Sequence, residues 1–410
     1  MFCEGLKLRV TGDNNKRTQH KHIIKVDILS ESLEERLKYA QFNQTDYQVL
    51  GKLVQRAIDR GVDIQNEQKI LGGITKRAYE ILSRGSFLKT FPQAKVDLGE
   101  FRSRCTIGVD GSFYPAGGTA GLWYAPISAV RVMLRKGIDS LDSFNIDSDL
   151  EAFGDIILID EAKLQKEHYT ENVNGEIIKR MMELETKAIM LTATRNKGSI
   201  LMMDGPVVDP PTFSGKDYLK YRCDAFKNCI ANDVLAIGCV KRIKDNFTKG
   251  YVKENFVKTP DETAVFEKFP TDMHLMAYVF TYMRTQLGIT DVIYTNPIET
   301  SDRGGQVYKK YKEQGLRLAC MFIQKDLRSS ILRLDIPLVS EETELTVDAE
   351  PLVRLVAGWT YPDLGTPMPV YLAHEKCQIR QGCADVLYDE ILTRMRTTDP
   401  FNQIASMNLR

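Results

Sequence analysis

Two short apolar runs in this chain end in the same way. Residues 106–109 lead into Asp110-Gly111, and residues 199–203 lead into Asp204-Gly205. Each run has the composition of a buried strand. A carboxylate directly after such a strand is costly to bury unless it is paired or bound to a cation. The glycine removes a side chain just where a ligand would approach the backbone. Two such strands side by side would present two carboxylates at one end of a sheet. Hard oxygen ligands of that kind suit Mg²⁺ or Mn²⁺. Two ions about 3.5–4 Å apart can activate water and neutralise the leaving oxygen of a phosphodiester. The competing reading is that Asp-Gly is a common turn dipeptide, so either pair alone also reads as a turn.

The segments around these aspartates suggest a fold. From Cys105, a strand over 106–114 is followed by a turn at Gly117-Gly118 and two further strands, 120–125 and 128–134. A fourth short strand is expected at 155–160, then a helix over 175–192, then the strand ending at Asp204. A meander, a helix and a strand in that order open an RNase H-like fold. The expected architecture is therefore α/β: an RNase H/PIWI-like mixed sheet core flanked by helices, spanning residues 101–400. Residues 1–100 read as an N-terminal helical arm or cap, with apolar positions three and four apart at Val49, Leu50, Leu53, Val54, Ala57 and Ile58. A polar, basic segment covers residues 14–22. Residues 241–258 are lysine-rich and read as an exposed insertion or hairpin, within an insertion at about 240–265.

A third acidic ligand would come from the helix between the two aspartates. Its apolar stripe runs through Ile178, Met181, Met182, Ala188 and Ile189, and Glu185 falls on that stripe. Glu183 falls with Lys179, Arg180 and Lys187 on the wetter face. Glu185 is the preferred candidate, and Glu183 stays open. Histidine is scarce, with five in the chain. His374 follows an apolar run and can pack, ligate a metal or donate to a scissile phosphate. Arg333, in a core strand, is a candidate to grip phosphate from a cleft. Lys309, Lys310 and Lys312, interleaved with Tyr308 and Tyr311, would suit backbone and base contacts, or form only a solvated helix face.

The bulk composition narrows the classes. Fifty-five basic residues balance fifty-five acidic ones, which argues against a tail-type nucleic-acid binder. A local basic stripe still serves a neutral enzyme. None of the eight cysteines forms a CxxC pair, and the spacing of Cys223/Cys229 and of Cys377/Cys383 is not a standard zinc spacing. Residues 1–10 do not read as a secretory leader, and no apolar run approaches a membrane span. A cytoplasmic protein with free thiols and no membrane partner is expected. The phosphate-binding pattern G-x-x-x-x-G-K-[ST] is missing, so any ATP dependence would come from a partner.

Four patches in order resemble the NurA nuclease family: residues 109–112, Glu183–Glu185 followed by 203–205, 331–337, and 367–374. The resemblance implies a dimerising RNase H/PIWI-type fold with Mn²⁺ or Mg²⁺ as cofactor. It implies a DNA nuclease with single-strand endonuclease and 5′-to-3′ exonuclease activities and a two-metal mechanism. It also implies HerA, a hexameric DNA-translocating ATPase, as partner, in DNA end processing or anti-phage defence. By this resemblance Asp110, Glu185, Asp204 and His374 occupy the family's site, the three acids as metal ligands. The family often carries a tyrosine after the glycine of the last patch. Here Thr366 follows Gly365, and Tyr361 or Tyr371 is left to fill that role. The alternative is a non-catalytic adaptor of the same fold that docks on the ATPase ring and guides DNA.

Overall fold

The computed structural model describes residues 47–114, 117–119, 122–134, 148–160, 173–208, 216–242, 244–339, 347–361 and 364–396. The basic segment at 14–22 and Cys3 lie outside them. The chain divides into two compact units, Met1–Leu71 and Gly72–Arg410. In the smaller unit the described residues belong to helix α1 (Tyr47–Arg84), which runs on into the larger unit. Leu53 and Ile58, two of the apolar positions spaced three and four apart, are exposed.

The larger unit is built on one mixed sheet. Its strands are β1 (Leu88–Phe91), β2 (Thr106–Phe113), β3 (Gly117–Thr119), β4 (Leu122–Leu134), β5 (Ser148–Asp160), β6 (Ile200–Asp204), β7 (Leu235–Val240), β8 (Val292–Thr295), β9 (Ile298–Glu299), β10 (Leu316–Gln324) and β11 (Leu332–Val339). The lateral order is β1-β8-β10-β11-β7-β6-β2-β4-β3, with β5 on β4 and β9 on β10. β2, β4 and β5 are antiparallel neighbours, while β6 lies parallel to β2 and β7 parallel to β6.

The helices that matter for the site are α2 (Val173–Arg195), α3 (Lys216–Ala231) and α9 (Met368–Cys377). Between the last two in sequence come α4 (Phe247–Asn255), α5 (Pro260–Glu267), α6 (Asp272–Thr285), α7 (Gly305–Glu313) and α8 (Ala349–Trp359), and α10 (Gln381–Arg396) follows. Alternation along the strands fills two cores. Ile107, Val109, Leu201 and Met203 face the cluster that holds Ala188 and Ile189 of α2. Val130, Val132, Ile200 and Met202 face the cluster that holds Val370, Ala373 and Cys377 of α9.

Several local expectations are corrected. The two strands expected at 120–125 and 128–134 are one strand, β4. Pro126 lies between the two expected runs and lacks an N–H. It sits where β4 passes from its pairing with β2 to its pairing with β3, and its carbonyl still accepts Tyr114 N–H at 3.1 Å. The short strand expected at 155–160 is thirteen residues long and pairs β4 throughout. The lysine-rich segment is no hairpin. It contains α4, whose Phe247, Thr248, Lys249 and Val252 are buried. Asp272 accepts the N–H groups of Thr248 and Lys249 at 2.8 and 3.0 Å, so it satisfies the open amides of that helix's first turn.

Candidate metal centre

Asp110 and Asp204 become neighbours because β2 and β6 are parallel and in register, with Val109 opposite Met203. Both carboxylates project to the face covered by α9. The two Asp-Gly pairs are not equivalent, contrary to the expectation that both end strands. Asp204 ends β6, and Gly205 then takes φ +120°, a conformation L side chains rarely adopt. Asp110 lies within β2, which continues to Phe113.

Helix α9 reaches the aspartates because β2 carries Gly108. A Cβ at that position would stand 1.9 Å from the Pro369 carbonyl oxygen, so only glycine lets the helix lie this close. His374, five residues along α9 from Pro369, then places Nδ1 2.9 Å from Asp110 Oδ2 and 3.5 Å from Asp204 Oδ2. The Gln378 side-chain amide lies 2.9 Å from His374 Nε2 and holds the ring so that Nδ1 faces the two carboxylates. Donor atoms of Asp110, Asp204 and His374 all lie within 4.8 Å of one another. The carboxylates are largely buried, whereas the His374 side chain is 44% exposed and opens the group to solvent.

The electrostatics favour a cation beside the carboxylates. Burial pushes the Asp110 carboxyl up to about 6, the Asp204 charge adds to the rise, and hydrogen bonds from His374 and Cys377 partly offset it. One buried and one half-buried carboxylate with an imidazole form a donor set suited to a divalent ion such as Mn²⁺ or Mg²⁺. Beside Gly205 a Cβ would meet nothing within 4 Å, so the space next to Asp204 is open.

Two further side chains belong to this group and were not singled out in the sequence. Lys241, one residue past β7, places Nζ 2.7 Å from Asp204 Oδ2. The β6–β7 pairing sets Asp204 opposite Cys239, so a lysine two residues on is the available signal. Cys377, one turn after His374, donates its thiol to Asp110 Oδ2 at 3.3 Å, and burial raises its pKa. The seven cysteines among the described residues are free thiols.

Glu185 faces the buried side of α2, as its position on the stripe implied, while Glu183 pairs with Arg180 at 3.1 Å on the outer side. Glu185 is not drawn into the three-residue group. Its Oε1 lies 2.9 Å from Nη1 of Arg222, a fully buried residue of α3. The same guanidinium reaches the Pro206 and Val207 carbonyls, so it ties α2 to the segment that follows Asp204.

The expected phosphate contacts are not brought to the site. Arg333 is 1% exposed; it bonds Asp335 and Asp245 and lies over the Phe247 ring, an enclosed ion pair rather than a cleft residue. Tyr308 and Tyr311 are core residues, because the apolar side of α7 packs inward. Lys309 is exposed, Lys310 is half-buried and Lys312 pairs with Asp302 at 2.6 Å. Thr366 is buried, and Tyr361 and Tyr371 are half-buried against the apolar cluster on the α9 side.

The strand order β5-β4-β2-β6-β7, with acids on the first and fourth strands in sequence, is that of the RNase H-like nuclease folds. The sequence matches the NurA domain over residues 105–379, and the chain belongs to that family. Among solved structures it is similar to the NurA nuclease from Sulfolobus solfataricus, with 10% identity over 84% of this chain and 98% of that one and a TM-score of 0.53. It is also similar to the catalytic domain of human endonuclease V, with 12% identity over 74% of this chain and 93% of that one and a TM-score of 0.32. No curated protein matches the sequence. No helix among the described residues is long and apolar enough to cross a membrane.

Proposed function

We propose that this chain is a divalent-metal-dependent deoxyribonuclease whose centre is Asp110, Asp204 and His374. The observation that carries the reading is the convergence of these three donors within 4.8 Å at the open end of two parallel strands. A bound Mn²⁺ or Mg²⁺ would supply Lewis acidity toward a phosphoryl oxygen and a water of lowered pKa. Asp110 and Asp204 would hold the ion from positions fixed by neighbouring strands. His374 would complete the set from the solvent side, with Gln378 orienting its ring. Lys241 balances charge at Asp204 and is close enough to meet a phosphate that enters over Gly205.

The donor set suits one cation. A second ion, as in the expected two-metal mechanism, would draw on Glu185, which would first have to leave Arg222. Family membership supports DNA as substrate, endonuclease and 5′-to-3′ exonuclease activity, and a HerA-type hexameric ATPase as partner. A role in DNA end processing or anti-phage defence, in the cytoplasm, rests on the same membership.

The test is cleavage of labelled single- and double-stranded DNA with Mn²⁺, Mg²⁺ or EDTA, for wild type and Asp110→Ala, with and without a HerA-type ATPase. Metal-dependent cutting that the variant loses supports the proposal. Absence of cutting in every condition, ATPase included, overturns it in favour of the adaptor.

A further inference from the structure

We propose that Cys377 is a fourth, soft donor at the centre formed by Asp110, Asp204 and His374, taken up by thiophilic cations such as Zn²⁺, Cd²⁺ and Co²⁺ and left aside by Mn²⁺ and Mg²⁺, so that a thiophilic ion closes the site. The inference rests on the reading of those three residues as a metal centre. It adds the class of cation that would silence that centre.

The placement of the sulfur carries it. His374 and Cys377 are three residues apart on α9, so both side chains leave the same side of the helix. Cys377 Sγ lies 3.3 Å from Asp110 Oδ2, and the same oxygen lies 2.9 Å from His374 Nδ1. His374 Nδ1 lies 3.5 Å from Asp204 Oδ2. Ligands of one tetrahedral zinc stand about 3.3–3.5 Å apart, given bonds of roughly 2.0 Å to oxygen or nitrogen and 2.3 Å to sulfur. The sulfur–oxygen separation is thus close to that of two ligands on one ion. Here the thiol acts as a hydrogen-bond donor, shared between Asp110 and the His374 carbonyl at 3.3 Å. In that role Sγ stands outside the three donors that lie within 4.8 Å of one another. A turn about a single side-chain bond, χ1, redirects it.

Softness then sorts the cations. Thiolate favours Zn²⁺ and softer ions, whereas Mg²⁺ and Mn²⁺ prefer oxygen. Three protein ligands leave positions for water and a phosphoryl oxygen, and four close a tetrahedral site. When a thiophilic ion binds, the S–H bond is replaced by a metal–sulfur bond and the proton leaves to solvent, with nothing oxidised or reduced. Cys377 is 2% exposed, so the sulfur meets the cation with little competition from water. No other cysteine among the described residues stands beside a cluster of this kind, because Asp110, Asp204 and His374 form the one such group found there.

The test is titration of the full chain with Co²⁺, Cd²⁺ and Mn²⁺, for wild type, Cys377→Ser, Cys377→Ala and Asp204→Asn. Electron donation from a thiolate to Co²⁺ gives a near-ultraviolet charge-transfer band. Wild type should show this band, and all three variants should lose it. Cd²⁺ binding, read by calorimetry, should weaken at least about tenfold in both Cys377 variants, whereas Mn²⁺ binding, read by electron paramagnetic resonance, should change by less than about threefold. The two replacements at Cys377 differ in polarity, so a folding defect in one does not decide the outcome. If wild type binds Mn²⁺ but its Co²⁺ form lacks the band, the proposal falls and the metal centre stands. A band that persists without Cys377, or without Asp204, also overturns the proposal, because the sulfur then belongs to another thiol or to no centre. A wild type that binds none of the three ions overturns the metal centre and the proposal together.

Discussion

Lys241 Nζ lies 2.7 Å from Asp204 Oδ2, so a protein cation already holds one of the oxygens that a metal ion would use. Metal must compete with this pair. The lysine side chain is one-third exposed, which keeps the competition modest. Lys241→Met should tighten Mn²⁺ binding by about two- to fivefold, the range expected of a partly exposed ion pair. DNA cleavage should fall at the same time if the lysine also meets phosphate. Titration of Mn²⁺ followed by electron paramagnetic resonance reads the first effect; unchanged affinity would show that the pair opposes nothing.

Asp110 carries the pH dependence. Its pKa stands at about 6 in the fold against 3.8 for the ordinary carboxyl, raised first by burial and then by Asp204. The folded state therefore binds the proton more tightly than the unfolded state. That contribution to stability is complete below the ordinary value and is lost as pH rises through about 6. Asp110→Asn should thus stabilise the metal-free protein by roughly 2–3 kcal/mol above neutrality, with little effect in acid. Urea denaturation in EDTA at the two extremes checks this. Equal effects at both would remove the electrostatic explanation. In the wild type, Mn²⁺ affinity should decline as Asp110 takes up its proton, below about pH 6.

Two glycines should respond in opposite directions to the same substitution. Gly108→Ala drives a methyl into the Pro369 carbonyl, and α9 has to move away. The loss should be about 1–3 kcal/mol or more, with His374 displaced and cleavage reduced beyond what the lost stability explains. Gly250→Ala, inside α4 with open space around the new methyl, should stabilise by up to about 1 kcal/mol. Thermal melts of both variants, with activity measured well below their midpoints, separate packing from positioning.

Glu185 and Arg222 form a buried pair whose halves are not equivalent. Arg222→Met removes the guanidinium from the buried Glu185 carboxylate and from the Pro206 and Val207 carbonyls, so it should cost about 3–5 kcal/mol. If Glu185 joins a cation once Arg222 is gone, saturating Mn²⁺ should restore more of the melting temperature in this variant than it adds to wild type. An equal metal increment in both proteins would mark Glu185 as a structural acid.

Much of the framework is legible in the sequence. Apolar runs gave strands near β2 and β6 and a core strand at Arg333 in β11, and three-to-four spacing gave helices at α1 and α2. Those signals survive because each element buries one periodic face. The face of α2 that carries Glu185, with Glu183 outside, followed from the same periodicity. The misreadings are local. The runs at 120–125 and 128–134 join into one strand because the N–H missing at Pro126 matters only if a neighbouring strand needs it, and pairing partners are not written in a single run of residues. The lysines of α4 and α7 suggested exposed basic segments, yet the apolar side of each helix packs inward.

What the sequence determined by itself is the set of short-range facts: where carboxylates follow apolar strands, which residues share a helix face, and which glycines interrupt them. What only the tertiary structure decided is who meets whom. The register of β2 with β6 sets Asp110 beside Asp204, and the absence of a Cβ at Gly108 admits α9 and with it His374 and Cys377. It also gave Arg222 to Glu185, Lys241 to Asp204 and Asp335 to Arg333. The physical reason is that periodicity reports burial one element at a time. A buried charge finds its partner across elements, through packing distances that no local pattern encodes.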